Sequence, residues 1–465
     1  MAKLTFYGAT EIVTGSAYLL ETANARVLFE CGLVQGSHEE EQANAQPFPF
    51  KLERLDAVVL SHAHLDHSGR LPKLVADGYG GPIYMTDPTS ELLEIMLKDA
   101  AFLEQRDTEW ENRRRQRSGR PEIEPLFTTQ DAEAALALCE GLDYEARQTV
   151  AEGVDICFRE AGHILGSAIV EVFIREKGAE RKLVFTGDLG NSTAALLRDP
   201  VKIREADVLL MESTYGDRNH RSMDETLEEF ESIITTAAQD DGNVLIPSFA
   251  VGRAQEIIFH LGKLYQKGKL QQQAVFLDSP MAIAATEIYH RYQDIFNRED
   301  KARIRQVRHG SLHTFLPVLR YSRTTEESMA LNRVKGGAII IAGSGMCSGG
   351  RIRHHLKHNL WRRNAHVVIV GFQAMGTPGR ALVDGTDHLH IAGEEIAVKA
   401  NIHTLGGFSA HASQSQLLDW VTGFHDKPKI HLVHGEAEAK RALSDKLTQK
   451  GWSVEIPRLG SSIHL

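Results

Sequence analysis

Little in this sequence ties it to a membrane, an oxidising compartment or a nucleotide cofactor. No apolar run approaches the ~18 residues that a membrane-spanning helix needs. Cysteine is scarce: Cys31, Cys139, Cys157 and Cys347 stand far apart without C-x-x-C spacing. That argues against a disulfide framework and against a thiolate zinc site. The stretch from Met1 to Tyr7 reads as a strand-like alternation, not as a secretory leader. A reducing cytoplasm is therefore the expected location. A Walker Lys-Ser/Thr is missing, and no G-x-G-x-x-G stands between a strand and a helix, so no nucleotide cofactor is expected. Excess positive charge is absent too: 52 Lys and Arg face 62 Asp and Glu, a net charge of −10. This speaks against a protein that coats nucleic acid over its whole surface, but it leaves room for a locally basic cleft.

What the chain does have is histidine, 22 residues in all. The densest group is Ser61-His62-Ala63-His64-Leu65-Asp66-His67, directly after the apolar run Leu55 to Leu60. That run reads as a short buried strand, so the cluster sits at a strand's end, where α/β folds hold their chemistry. Imidazole nitrogen and carboxylate oxygen both suit zinc. The spacing is not H-E-x-x-H, which needs one helical face. His62 and His64 alternate while Asp66 and His67 are adjacent and point apart, so one loop can feed two neighbouring metals.

Four more strand-like runs end in polar residues. Val154 to Phe158 leads to Gly162-His163, and Lys182 to Thr186 to Gly187-Asp188. Asp207 to Met211 leads to Glu212-Ser213-Thr214, and Lys429 to Val433 to His434-Gly435-Glu436. Each is weak alone, but together they present ligand-type residues on one rim. With 465 residues, two or three domains are expected. The texture changes in the middle, where strands alternate with helices through small-residue turns, which predicts a parallel, doubly wound sheet. There Asn243 to Ile246 passes through Pro247-Ser248-Phe249-Ala250-Val251-Gly252-Arg253 into an amphipathic helix over Ala254 to Leu261. Gly337 to Ala342 passes through the turn Gly343 to Gly350 into a second helix. The cluster Arg113 to Arg120 reads either as a solvated helix end or as a polyanion contact.

The H-x-H-x-D-H run, His163, Asp188 and Val433-His434-Gly435 resemble the zinc-ligand series of the metallo-β-lactamase superfamily. Glu212 in Met-Glu-Ser-Thr-Tyr-Gly, His411 in Gly-Phe-Ser-Ala-His-Ala and His434 are similar to motifs A, B and C of its β-CASP nuclease branch. Histidine in motif C goes with the RNA-processing members. The similarity runs in order from about Gly8 to His434. One departure is Glu30-Cys31-Gly32 where the family usually has Asp-Cys-Gly.

The resemblance implies an α/β fold, an αββα sandwich with an inserted doubly wound β-CASP domain. The expected division is 1–210 and 386–465 for the sandwich and 211–385 for the insertion. It further implies a zinc-dependent ribonuclease that cuts single-stranded RNA by a two-metal, hydroxide-attack mechanism, endonucleolytic with 5′-3′ exonuclease action also open. His62, His64 and His163 would hold one Zn2+, Asp66, His67 and His434 the other, and Asp188 would bridge. Mn2+ is the alternative metal, and homodimerisation is left open. Asp66, His411 and Glu212 are the candidate catalytic residues, with Glu212 orienting His411 or a ligand. The proton for the leaving 3′ oxygen would come from His411 or Asp66. Ser248, Arg253, Ser344, Gly345 and Ser409 are candidate substrate contacts, with Arg253 equally readable as an ordinary salt-bridged arginine. Two rival readings are a hydrolase of small substrates, which needs neither Glu212 nor His411, and a non-catalytic scaffold, which would have lost ligands.

Overall fold

The short apolar runs form strands whose side chains alternate between two apolar layers. The computed structural model describes residues 2–307, 310–371 and 373–465. They divide into two compact units, one of residues 1–192, 199–219 and 411–465, the other of residues 193–198 and 220–410.

The first unit holds two seven-stranded sheets. One runs in the order Ser462–His464, Lys3–Phe6, Tyr18–Glu21, Arg26–Phe29, Ala57–Val59, Ile83–Thr86 and Cys139–Leu142. The other runs Val454–Glu455, Lys429–Leu432, Val208–Met211, Ala179–Phe185, Ala168–Glu176, Val154–Glu160 and Arg147–Ala151. Leu4, Phe6, Tyr18 and Phe29 of the first pack with Ile156, Phe158, Val170 and Phe185 of the second in one buried cluster. Removing that apolar surface from water is the main force holding the two sheets together. The outer face of the second sheet is covered by the helices Gln414–Trp420 and Ala437–Gln449, through Leu417, Trp420, Leu443 and Leu447.

The second unit is built on six parallel strands, in the order Leu319–Tyr321, Ala274–Leu277, Ala338–Ala342, Val244–Pro247, His366–Ile369 and Asn401–Thr404. Its central strand, Ala-Ile-Ile-Ile-Ala, is buried along its whole length. That is why it reads as a continuous apolar run and not as an alternation. The edge strand Asn401–Thr404 lies beyond the expected boundary at 385, while Val208–Met211 and Glu212 belong to the first unit. The helix after Gly252 is Arg253–Gln266, and its polar residues Arg253, Gln255, Glu256 and His260 are buried along with its apolar ones.

Candidate metal centre

Five loops of the first unit, each following a strand, bring the site together. The segment after Ala57–Val59 carries His62 and His64 and, on the one-turn helix Leu65–Ser68, Asp66 and His67, and it is held by backbone bonds to neighbouring turns. Ser16 N donates to Asp66 O and Cys31 N to His67 O, at 2.9 and 2.7 Å. Gly190, beyond Asp188, has to be glycine: a Cβ there would sit 1.9 Å from Gly162 O. That close approach locks the Asp188 loop to the His163 loop, aided by Gly190 N donating to Ala161 O at 2.8 Å.

The donor atoms converge in two sets. His62 Nε2 and His163 Nε2 lie 3.1 and 3.2 Å from His64 Nδ1. Each of those Nε2 atoms is 3.5 Å from Asp188 Oδ2. In the other set His67 Nε2 and His434 Nε2 are 3.1 Å apart, with Asp66 Oδ2 3.4 Å from His434 Nε2. Asp188 faces this set as well, its Oδ2 3.4 Å from His67 Nε2 and its Oδ1 3.5 Å from His434 Nδ1. The sets meet the general requirement for cation sites: His62, His64, His163 and Asp188 form one group of mutually close ligand atoms, Asp66, His67 and His434 another.

Hydrogen bonds behind the rings settle which nitrogen faces inward. Glu30 Oε1 accepts from Ser61 N at 2.6 Å, and its Oε2 accepts from Ser61 Oγ at 3.1 Å and from His67 Nδ1 at 2.6 Å. With its proton given to Glu30, Ser61 Oγ can only accept from His62 Nδ1, 2.9 Å away. Thr214 Oγ1 donates to His434 O, so it accepts from His434 Nδ1 at 3.1 Å. These bonds engage Nδ1 of all three rings and leave their Nε2 atoms facing the cluster. Ser61 and Thr214 were not singled out by sequence; the only signal is a hydroxyl placed beside a ligand at a strand's end.

The electrostatics fit a cation. Burial pushes His62 well down and His64 down to about 4, whereas at His67 the Asp188, Asp66 and Glu30 carboxylates outweigh burial and raise the ring well above its usual value. Burial works against the Asp188 charge, but the His434, His67 and His62 rings outweigh it and hold the carboxyl well below its usual range. Among the described residues its buried Oδ1 nevertheless accepts no hydrogen bond, which is costly unless something positive meets it. Ring nitrogens 3.1–3.2 Å apart are also close to the roughly 3.3 Å edge of a tetrahedron with zinc-length bonds. The residues present fit divalent metal.

Comparison with known proteins agrees with this geometry. The metallo-β-lactamase superfamily matches residues 11–247, the Beta-Casp domain 254–382, and the Zn-dependent metallo-hydrolase RNA specificity domain 395–457. Ribonuclease TTHA0252 of Thermus thermophilus is 42% identical over 99% of both chains. The chain belongs to the β-CASP ribonuclease branch of the metallo-β-lactamase superfamily. Transcription termination factor FttA of Methanocaldococcus jannaschii is 31% identical over 98% of this chain and 72% of its own. A solved Enterococcus faecalis protein of unknown function shares the fold at TM-score 0.57 and 15% identity, with both chains covered in full.

In this β-CASP protein the motif A and B residues meet at the metal cluster. His411 Nδ1 lies 3.3 Å from Glu212 Oε1 and 3.9 Å from Asp188 Oδ2. Burial alone would lower His411, but the Glu212 carboxylate outweighs it and raises the ring to about 9. Glu212 is itself immobilised, its Oε1 accepting from Leu189 N at 2.7 Å and its Oε2 from Thr214 N at 3.1 Å. His411 is also bridged to Gly190 through the backbone, so it is tied to the same loop as Asp188.

The candidate substrate contacts lie in the other unit. Ser248 is buried and its Oγ donates to Phe249 O at 3.0 Å. Arg253 is buried, ion-paired with Glu256, which is the salt-bridged alternative left open by the sequence. Ser344 and Ser409 are partly exposed, and Gly345 is buried. Beside Gly345 stands the exposed ring of Phe249, which a Cβ on that glycine would meet at 2.8 Å.

Proposed function

We propose that this protein is a zinc-dependent ribonuclease that hydrolyses single-stranded RNA with two metal ions held side by side. The observation that supports it most is Asp188, whose carboxylate faces both donor sets while its Oδ1 accepts no hydrogen bond among the described residues. His62, His64 and His163 would hold one ion, Asp66, His67 and His434 the other, and Asp188 both. Such a pair supplies Lewis acidity toward phosphate and lowers the pKa of water toward neutrality.

The chain's own residues supply the rest. Glu30 and Thr214 keep His67 and His434 from rotating, and Ser61 does the same for His62. His411, with Glu212 against its Nδ1, would as an imidazolium donate to a phosphate oxygen as negative charge builds there. The same ring is placed to hand a proton to the leaving 3′ oxygen, and Glu212 would stabilise the cation until that transfer. RNA as substrate is supported by the matched RNA specificity domain and by the ribonuclease among the relatives.

Metal-loaded protein incubated with RNAs labelled at either end, with and without chelator, tests this. Cleavage should stop with chelator and return with added zinc or manganese, and the product lengths separate endonuclease from exonuclease. Intact RNA alongside a hydrolysed small thioester would sink the reading.

A further inference from the structure

The near end of the 31-residue helix Asp87–Arg117 is built into the metal site, but its far end is not. Thr86 Oγ1 and Thr89 Oγ1 both donate to Gly166 O, at 2.6 and 2.9 Å, in the loop that carries His163. At 1.5 Å per residue the helix is about 45 Å long, and Trp110 lies roughly 35 Å from its start. There the surface changes character. Phe102 and Trp110 are 58% and 61% exposed. They share one stripe with Arg106, Arg113 and Arg117, because i, i+4, i+8, i+11 and i+15 fall on one helical face. Guanidinium groups lie over both rings, Arg106 at 5.9 Å from the Phe102 centroid and Arg114 at 5.2 Å from that of Trp110.

From Arg113 to Arg120 the chain has five arginines and no acid. Arg114 and Arg115 reach Glu111 at 3.3 and 3.4 Å, and Arg106 approaches Asp107 at 3.6 Å. Arg113, Arg117 and Arg120 are exposed and pair with no carboxylate among the described residues. A helix C-terminus gains from a cation or two in its last turn. That does not account for five, nor for an exposed tryptophan among them.

We propose that this stripe is a second binding site for single-stranded RNA, engaging the substrate far from the bond that is cut. The proposal rests on the ribonuclease reading above. Bases stack on exposed aromatic rings, and the planar guanidinium fork matches phosphate. An acidic protein would satisfy the arginines, but flat bases on a polyanionic backbone match both the rings and the charges. On a chain of net charge −10, this basic stretch is a local exception where a polyanion can settle.

The test compares wild type with the triple variant Trp110→Ala, Arg113→Glu, Arg117→Glu, all exposed positions, after circular dichroism has shown the fold intact. The substrates are homopolymeric single-stranded RNAs of about 40 and about 4 nucleotides, the shorter one too small to reach from the site to Trp110, roughly 35 Å along the helix. The variant should cleave the short RNA with unchanged kcat/KM, while its KM for the long RNA rises about tenfold or more. The salt dependence of that KM should become shallower by about 1.4 in log-log slope, for two lost phosphate contacts. Trp110→Ala alone should raise the long-RNA KM without changing the slope. Identical length dependence in wild type and variants would overturn the second site and leave the ribonuclease reading standing. Wild type that cleaves neither RNA would overturn that reading itself. A changed molar mass by light scattering, with unchanged RNA kinetics, would make the stripe a protein interface and overturn the proposal.

Discussion

At the scale of single residues, Glu30 shows how a group that need touch no metal sets the geometry of those that would. It sits at φ +63°, in the left-handed region, a conformation that a long side chain rarely adopts. Both of its oxygens accept, from Ser61 N, Ser61 Oγ and His67 Nδ1. Glu30→Gln keeps the shape but must turn its NH2 toward a donor on one side or the other. Metal affinity should therefore fall about 10- to 100-fold, measured by competition with a chromogenic chelator, with the far-UV spectrum unchanged. Equal affinity in the variant would show that the carboxylate is incidental. His411 allows a sharper separation. His411→Ala should retain its metal yet lose about 10²- to 10⁴-fold in RNA cleavage, whereas Asp66→Ala should lose metal and cleavage together. Metal content measured beside kcat decides between them. The imidazoles and carboxylates that converge in the structure were legible in sequence because such groups stand out after apolar runs. Ser61 and Thr214 were not, because a hydroxyl carries no such mark until its neighbour's ring is seen leaning on it.

At the scale of elements, the helix Arg253–Gln266 shows where periodicity misleads. Its apolar spacing predicts one buried face, yet nearly every residue from Arg253 to Leu264 is buried. The polar positions survive this because they are paired. Gln255 Nε2 donates to Ala250 O, Ala282 O and Thr286 Oγ1, while Glu256 pairs with Arg253. His260 is the exception, as neither ring nitrogen has a hydrogen-bond partner among the described residues. Burial, with Lys263 and Arg253 nearby, pushes it down to about 3. Its folded pKa lies below the roughly 6.5 of an unfolded chain, so the unfolded state binds the extra proton. Stability from this residue is full above about pH 6.5 and is lost as the pH falls toward 3. His260→Leu should flatten the acid side of the stability curve by up to about 1.4 kcal/mol per pH unit across that window. Unfolding midpoints taken in steps from pH 7 to pH 4 check this, and parallel curves for variant and wild type would refute it.

At the scale of the whole molecule, the order of strands and ligand loops was readable, but the way the chain is partitioned was not. Residues 193–198 belong with 220–410, and nothing in the composition of that short piece announces it. Asn401–Thr404 joins the parallel sheet by pairing with His366–Ile369, a long-range choice that local pattern does not encode. The partition has a consequence for metal loss. All seven candidate ligands lie in the first unit, on loops far apart in sequence: His67 and His434, whose Nε2 atoms are 3.1 Å apart, stand 367 positions from each other. Without a cation, Asp188 keeps a buried oxygen that accepts no hydrogen bond among the described residues, at a cost of about 1–3 kcal/mol. The second unit has its own apolar core around Leu245, Ile340, Leu356 and Val367 and supplies none of these ligands. Hydrogen exchange before and after chelation should therefore show faster exchange in 61–67, 162–167, 187–190 and 432–435, with the strands Val244–Pro247 and Ala338–Ala342 unchanged. Exchange that rises equally in those strands would mean that the metal stabilises the chain as one cooperative body, and that the centre is not local to the unit that carries its ligands.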